Sequence, residues 1–259
     1  HVYKSQLLTL IFVWFTKPFA WLMTKLIPGK DAQKENQPWY LEEHLLNTPY
    51  IAIQSAIKEI TRMTKITNCM IQSTYQAIVE KNPKYIEEIL KQEELVDKLQ
   101  DAITNYLSIL IRKDLGEKES QMVPSLIHIV NDAENLGDQA VNLMELAEQR
   151  IRNDLVFSDT ALEELEEMHN QITLMLNEAI QALPRNNHDL AHTMLEREKK
   201  INDMNIKFKI AHTLRLQKGK CKQESGITFI DILDEYEKIG DHLTNIAQAI
   251  LGKLNINNE

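Results

Sequence analysis

The sequence is poor in residues that make turns and covalent staples. Glycine and proline each occur only 7 times in 259 residues, roughly half of ordinary usage, which excludes collagen-like and low-complexity chains. An α/β sheet protein would need many more turns. Few turn-formers in so long a chain leave room for few loops, and hence for long helices. The two cysteines, Cys69 and Cys221, are too few and too far apart for a disulfide framework or a zinc module, and they suit a reducing compartment. Positive charge is the minority: 29 lysines and arginines stand against 38 acids, a net charge of −9. A generic nucleic-acid surface is not expected, because phosphate binding needs a positive field. There is no glycine-rich phosphate loop, nucleophile elbow or Cys-His pairing at catalytic spacing, so the chain reads as a non-enzyme. What is present, 43% hydrophobic and 26% charged residues, is an ordinary globular balance.

One strongly apolar stretch stands apart. Leu7 to Ile27 is interrupted at Lys17-Pro18, carries Trp14 and Trp21, and meets Lys25 close to its end. A block of about ten apolar residues followed by a second, tryptophan-bearing one suits the end of a membrane helix leading into an interfacial helix. Residues 1–27 are therefore expected to be the end of a transmembrane region or a membrane-associated helix. A soluble helix packed on the main domain is the alternative. The lysines that follow, Lys25, Lys30 and Lys34, would place residues after about 28 on the cytoplasmic side of the cell membrane. The start at His1 rather than methionine fits a piece of a longer polypeptide. Residues 28–48 read as a linker with a short helix, opening on Pro28-Gly29.

After Thr48-Pro49 the sequence has helical period and repeats. A shift of 105 positions brings Met63 onto Met168, Met70 onto Met175, Glu93 onto Glu198 and Val96 onto Ile201. Further on, a shift of 103 aligns Glu134-Asn-Leu-Gly-Asp138 with Glu237-Lys-Ile-Gly-Asp241. Each repeat holds three helices of about 40 Å at 1.5 Å per residue. The first three run from Pro49 to Lys81, Pro83 to Leu115 and Ser120 to Arg152. The second three run from Asp159 to Leu183, His188 to Gln217 and Gly226 to Leu254. Short connections between long amphipathic helices give antiparallel bundles. The expected fold is all-α, two tandem antiparallel three-helix bundles at residues 49–153 and 154–259.

The third helix of each repeat carries an acidic stripe. At 100° per residue, Asn131, Glu134, Asp138, Asn142 and Glu145 fall within about 80°. Asp234, Glu237, Asp241 and Asn245 copy them. Carboxylates four apart lie one turn apart on one face and can reach one hard cation. The second helices offer Glu93 with Asp97, and Glu198 with Asn202. A lone Glu-x-x-x-Asp is usually a solvated face; here the string Glu-x-(Leu/Ile)-Gly-Asp-x-x-x-Asn occurs twice. Gly137 and Gly240 also sit at matching helix-interior positions, where glycine costs about 1 kcal/mol against alanine. Close approach of a neighbouring helix is the expected reason.

Other constellations carry less. Glu166-x-x-His169 lacks the second motif that a di-iron bundle needs, since Thr61 and Thr64 stand at the matched positions. His242 points about 100° away from Asp241 and is expected on the surface or in a bundle seam. Met63, Met70, Met168 and Met175 read as core. Arg215, Lys218, Lys220 and Lys222 read as a solvated loop, with anionic lipid headgroups as the alternative contact.

The duplicated Glu-x-x-x-Asp motifs, the Gly-Asp-x-x-x-Asn continuation and the tandem three-helix organisation resemble the PhoU family of phosphate-uptake regulators. The run Leu-Glu-Glu-His-Leu-Leu-Asn-Thr-Pro from Leu41 to Pro49, after an apolar segment and a linker, resembles the junction in bacterial sodium/phosphate cotransporter-related proteins. Their membrane part carries a cytoplasmic PhoU-like tail. The resemblance spans roughly Leu41 to Leu254. It implies divalent or trivalent metal ions held by Glu93, Asp97, Glu134 and Asp138 in the first repeat. In the second repeat it implies Glu198, Glu237 and Asp241, with Asp234 in reserve because Asn202 departs from the acidic pattern. All-oxygen donors favour a hard cation. The resemblance further implies a regulatory tail on a sodium-dependent phosphate transporter. Its partners would be its own N-terminal transmembrane domain and a phosphate-signalling protein or a second copy. Two other readings stand beside it: a separate PhoU-type regulator of another transporter or sensor kinase, and a helical scaffold with solvated acids.

Overall fold

A computed structural model describes residues 37–252. The expected membrane helix at 1–27 lies outside the described residues, and no helix among them is long and apolar enough to cross a membrane. The described residues 38–252 belong to one compact unit. Its long helices are α1 (Pro49–Glu80), α2 (Ile86–Leu110), α3 (Glu117–Arg152), α4 (Asp159–Ala182), α5 (His188–Gln217) and α6 (Gln223–Ile250). Short 3-10 turns cover Glu43–Asn47, Pro83–Tyr85 and Leu183–Arg185. No strand occurs among the described residues.

The boundaries follow from local chemistry. Pro49 stands in the first turn of α1, where its missing N–H is no loss. Lys81 and Asn186 take left-handed backbone with φ of 51° and 45°, closing α1 and the turn after α4. Asn82 Oδ1 then accepts from Lys84 N, and Asn187 Oδ1 accepts from Asp189 N and Leu190 N at the start of α5. Ser158 Oγ accepts from Ala161 N at the start of α4. Several expected ends move, among them the start of α6, which begins at Gln223 rather than Gly226. The helix after Pro83 stops at Leu110 rather than Leu115, and α3 begins at Glu117, three residues early.

Helices α1, α2 and α3 pack together, as do α4, α5 and α6, and the two sets join along α3 with α6 and α1 with α4. Met63, Met70, Met168 and Met175 are fully buried, as their spacing implies. Where the sets meet, His169 of α4 stacks on Tyr75 of α1 with ring centres 3.9 Å apart. Its ring nitrogens reach Tyr236 Oη at 3.2 Å and Gln72 Oε1 at 3.0 Å. Gln72 also donates to Thr173 Oγ1 at 2.7 Å. Burial favours the neutral imidazole and pushes its pKa down to about 4. The His169 of the incomplete di-iron motif is thus a core residue joining three helices.

The other end of the junction is pinned by Arg150. Its guanidinium is buried, donates to the carbonyls of Leu155 and Ile78, and lies 4.2 Å from the centre of the Phe157 ring. It ties the end of α1 to the link between the bundles. The chain entering α1 is held by Glu59, whose Oε2 accepts from the backbone N–H of Trp39 and Tyr40, each at 2.8 Å. Arg62 Nη1 approaches Oε1 of the same buried carboxylate at 2.7 Å.

Candidate functional site

The interior glycines position the acids. A Cβ on Gly137 would stand 3.3 Å from Val96 Cγ1, so the missing side chain lets α2 lie close against α3. Glu93 and Asp97 on α2 flank Val96, and Glu134 and Asp138 on α3 flank Gly137, so the closely packed pair carries both acidic pairs. Glu93 and Glu134 are half-buried, Asp97 and Asp138 exposed. The four sense one another. Desolvation first, then Asp97 and Asp138, hold the Glu93 carboxyl above its usual range. Asp97 is raised by desolvation and then Asp138; Glu134 is raised by desolvation and then Asp138, with Asp97 and Glu93 adding to it. Among the described residues no lysine or arginine is ion-paired with any of the four.

The second bundle has the same frame and different charges. Gly240 faces Ile201, but an added Cβ would meet its Cγ2 at 3.5 Å, an ordinary contact. Glu198 and Asn202 on α5 oppose Glu237 and Asp241 on α6. Asn202 Nδ2 donates to Glu198 Oε1 at 2.5 Å, and its buried Oδ1 has no hydrogen-bond partner. Glu237 is raised by desolvation, Asp241 and Asp234, and pulled back by Lys209. Lys209 Nζ itself pairs with Asp234 Oδ1. Asp234 is therefore no free replacement for the carboxylate lost at Asn202: an ammonium already occupies it. At the matched position in the first bundle stands Thr104.

The donors fit a hard cation in kind, being carboxylate oxygens whose mutual repulsion in the first bundle is only partly offset by Lys98 beside Asp97 and His242 beside Glu134. As the side chains are placed, no three His, Cys, Asp or Glu residues among those described converge closely enough to hold one ion.

The asparagine that ends each motif does something else. Asn142 Nδ2 donates to Glu235 Oε2 at 3.1 Å, and Asn245 Nδ2 donates to Asp132 Oδ1 at 3.0 Å. By the repeat, Asn142 matches Asn245 and Asp132 matches Glu235, so the two bonds are related by the duplication and clamp α3 to α6. His242 joins the same seam, its Nδ1 3.0 Å from Asp132 Oδ1. Asn142 and Asn245 thus leave the acidic stripe in which their angular position places them.

Comparison with known proteins matches the PhoU domain at residues 60–147 and again at residues 165–250, once per bundle. The chain belongs to the PhoU family. A PhoU homologue of Thermotoga maritima, named a phosphate-specific transport system accessory protein, is 21% identical over 74% of this chain and 83% of its own length. YjbB of Escherichia coli, named for inorganic phosphate export, is 22% identical over 97% of this chain but only 47% of its own length. The chain therefore spans about half the length of that relative. Crystal structures of PhoU from Pseudomonas aeruginosa and of the regulatory protein PhoU from Streptococcus pneumoniae superpose with TM-scores of 0.70 and 0.71. They are 19% and 17% identical and cover 77% and 79% of this chain, each over 95% of its own length. The helical fold is that of PhoU. Within it Lys209, Arg150 and Glu59 escaped the sequence reading, and only Lys209 had a visible signal, its place opposite Thr104 in the repeat.

Proposed function

We propose that this PhoU chain is the regulatory, non-enzymatic part of a phosphate transporter, of the sodium-coupled class by the likeness of the Leu41–Pro49 run, and that it couples phosphate or metal status to transport. The observation that carries this reading is the extent of the YjbB likeness, which takes in 97% of the chain. The Thermotoga PhoU likeness takes in 74%. An apolar segment before the PhoU repeats is what a membrane-attached tail needs and what a separate accessory protein has no use for. In this reading residues 1–27 belong to the cell membrane, the helices after residue 28 lie on the cytoplasmic side, and a signalling protein or second copy reads the tail.

Glu93, Asp97, Glu134 and Asp138 are proposed to hold a divalent or trivalent cation. When bound, the cation supplies positive charge that relieves the repulsion between the facing carboxylates. The chain's own contribution is to hold α2 against α3 through Val96 and Gly137, so that the acids stay opposed. Glu198, Glu237 and Asp241 would form a weaker second face, with Asp234 engaged by Lys209.

The test is phosphate flux in cells carrying the complete protein, with and without residues 41–254. Loss of the response of flux to internal phosphate, with transport retained, is expected. Unaltered regulation overturns the reading. The family likeness also fits a stand-alone regulator, since the Thermotoga relative is covered over 83% of its length. Residues 41–254 expressed as a separate chain and still controlling a different transporter would favour that second reading.

A further inference from the structure

The chain is acidic overall, yet one face is strongly basic. Between Lys199 and Lys222 there are eight lysines and arginines and a single acid, Asp203, in a chain of net charge −9. Two of the eight are engaged. Lys209 pairs with Asp234, and Arg215 forms a two-pronged bridge to Glu164, its Nη1 2.8 Å from Oε1 and its Nη2 2.5 Å from Oε2. Arg215 therefore lies on α5 and braces it against α4, instead of sitting on the loop. The remaining six, Lys199, Lys200, Lys207, Lys218, Lys220 and Lys222, are exposed and have no ion-pair partner among the described residues.

The same helix exposes an aliphatic stripe. Ile206, Ile210 and Leu214 are 60%, 58% and 48% exposed, and their spacing of four puts them on one line over two turns of α5. Lys200, Lys207 and Lys218 fall along one edge of that line, since seven and eleven residues both return to nearly the same angle. Lys220 and Lys222 extend the charge past the helix end. The opposite side of α5 packs into its bundle through Ile201, Met204 and Phe208, all buried. A solvated face needs the lysines and has no use for the aliphatic line. A protein core needs the aliphatics and repels the lysines. An aliphatic stripe beside a row of ammonium groups on flexible stems matches an anionic lipid surface, where methyl groups enter the acyl boundary and lysines meet headgroup phosphates.

We propose that the outer face of α5, from Lys199 to Lys222 with Ile206, Ile210 and Leu214 at its centre, docks on an anionic membrane surface. The charge complementarity is independent of the metal reading, and the face works whether or not residues 1–27 anchor the chain.

The test uses the full chain with Cys69→Ser, Cys221→Ser and Ile210→Cys, carrying an environment-sensitive fluorophore at position 210. Vesicles contain phosphatidylglycerol, phosphatidylcholine and lipids bearing a quencher near the headgroup. A second chain is labelled through Leu90→Cys on α2, an exposed aliphatic elsewhere on the molecule. Quenching at 210 and its absence at 90 are expected, whatever the N-terminal segment does. Each lysine reversed among Lys207→Glu, Lys218→Glu, Lys220→Glu and Lys222→Glu should lower the affinity for anionic vesicles by about fivefold or more. Raising salt to about 0.5 M should release the docked chain, because ionic screening shortens the reach of the lysines. Equal quenching at both positions, or quenching indifferent to the lysine reversals, overturns the proposal. So does a probe that responds only to protein concentration without lipid, which assigns the face to a second copy. A probe that stays dark to anionic vesicles and responds to an acidic protein overturns it in favour of that partner.

Discussion

The two bundles have one backbone plan and two ways of treating the same acidic face. In the first, desolvation and then the neighbouring carboxylates raise the pKa values of Glu93, Asp97 and Glu134, and among the described residues no lysine or arginine is ion-paired with them or with Asp138. In the second, the residue matched to Asp97 is the uncharged Asn202, and Lys209 brings an ammonium to Asp234. Duplication preserved the helix positions, the glycines and the cross-bundle asparagine clamp. It did not preserve the charge balance. Equivalent positions in a repeat therefore share geometry more reliably than they share ligand chemistry, and a motif occurring twice does not imply two equal sites.

The largest expected break in the symmetry is at His169, whose matched residue is Thr64. Its folded pKa of about 4 lies below the ordinary value of 6.5, so the unfolded chain binds the extra proton between those values. Stability is full above pH 6.5 and is lost as pH falls toward 4, by about 3 kcal/mol in all. Denaturant titrations across pH 4 to 7 should show that slope in the wild type and lose it in His169→Gln. An unchanged slope would place the titrating group elsewhere.

The interior glycines separate the bundles by about 1 kcal/mol. Alanine in place of Gly240 meets only ordinary contacts, so Gly240→Ala should raise stability by about 1 kcal/mol through helix propensity. In Gly137→Ala the methyl presses on Val96, and the gain should vanish or reverse. Thermal unfolding of the two variants compares them directly. Equal stabilisation would mean that α2 and α3 are not held closer than α5 and α6.

The smallest effect is at Lys209. The pair with Asp234 is partly solvated, so Lys209→Met should cost about 0.5 kcal/mol without metal. It should also make the second bundle respond to added magnesium more strongly than the wild type does. Urea midpoints with and without magnesium read both.

Much of this was legible from periodicity. The six helices, the offset of 105 and 103, Asn82-Pro83 as a break and the buried methionines all follow from spacing and turn chemistry. The acids themselves were legible because the motif repeats. What was missed depends on which neighbour a helix face meets. A helical wheel gives Asn142 its angle but not the fact that α6, carrying Glu235, lies on that side. Arg150 looks like an ordinary basic residue in a last helical turn until the link through Leu155 and Phe157 folds over it. Arg215 resembles the loop lysines in sequence, and only the packing of α4 brings Glu164 to it. Lys209 was readable, two turns beyond Asn202 on the same face.

The most direct test of the central asymmetry counts manganese bound to the full chain by calorimetry, in wild type and in two paired variants. Glu134→Gln with Asp138→Asn should lower affinity at least 10-fold, while Glu237→Gln with Asp241→Asn should leave it nearly unchanged. Equal losses in the two variants, or affinity that survives the first, would contradict the account.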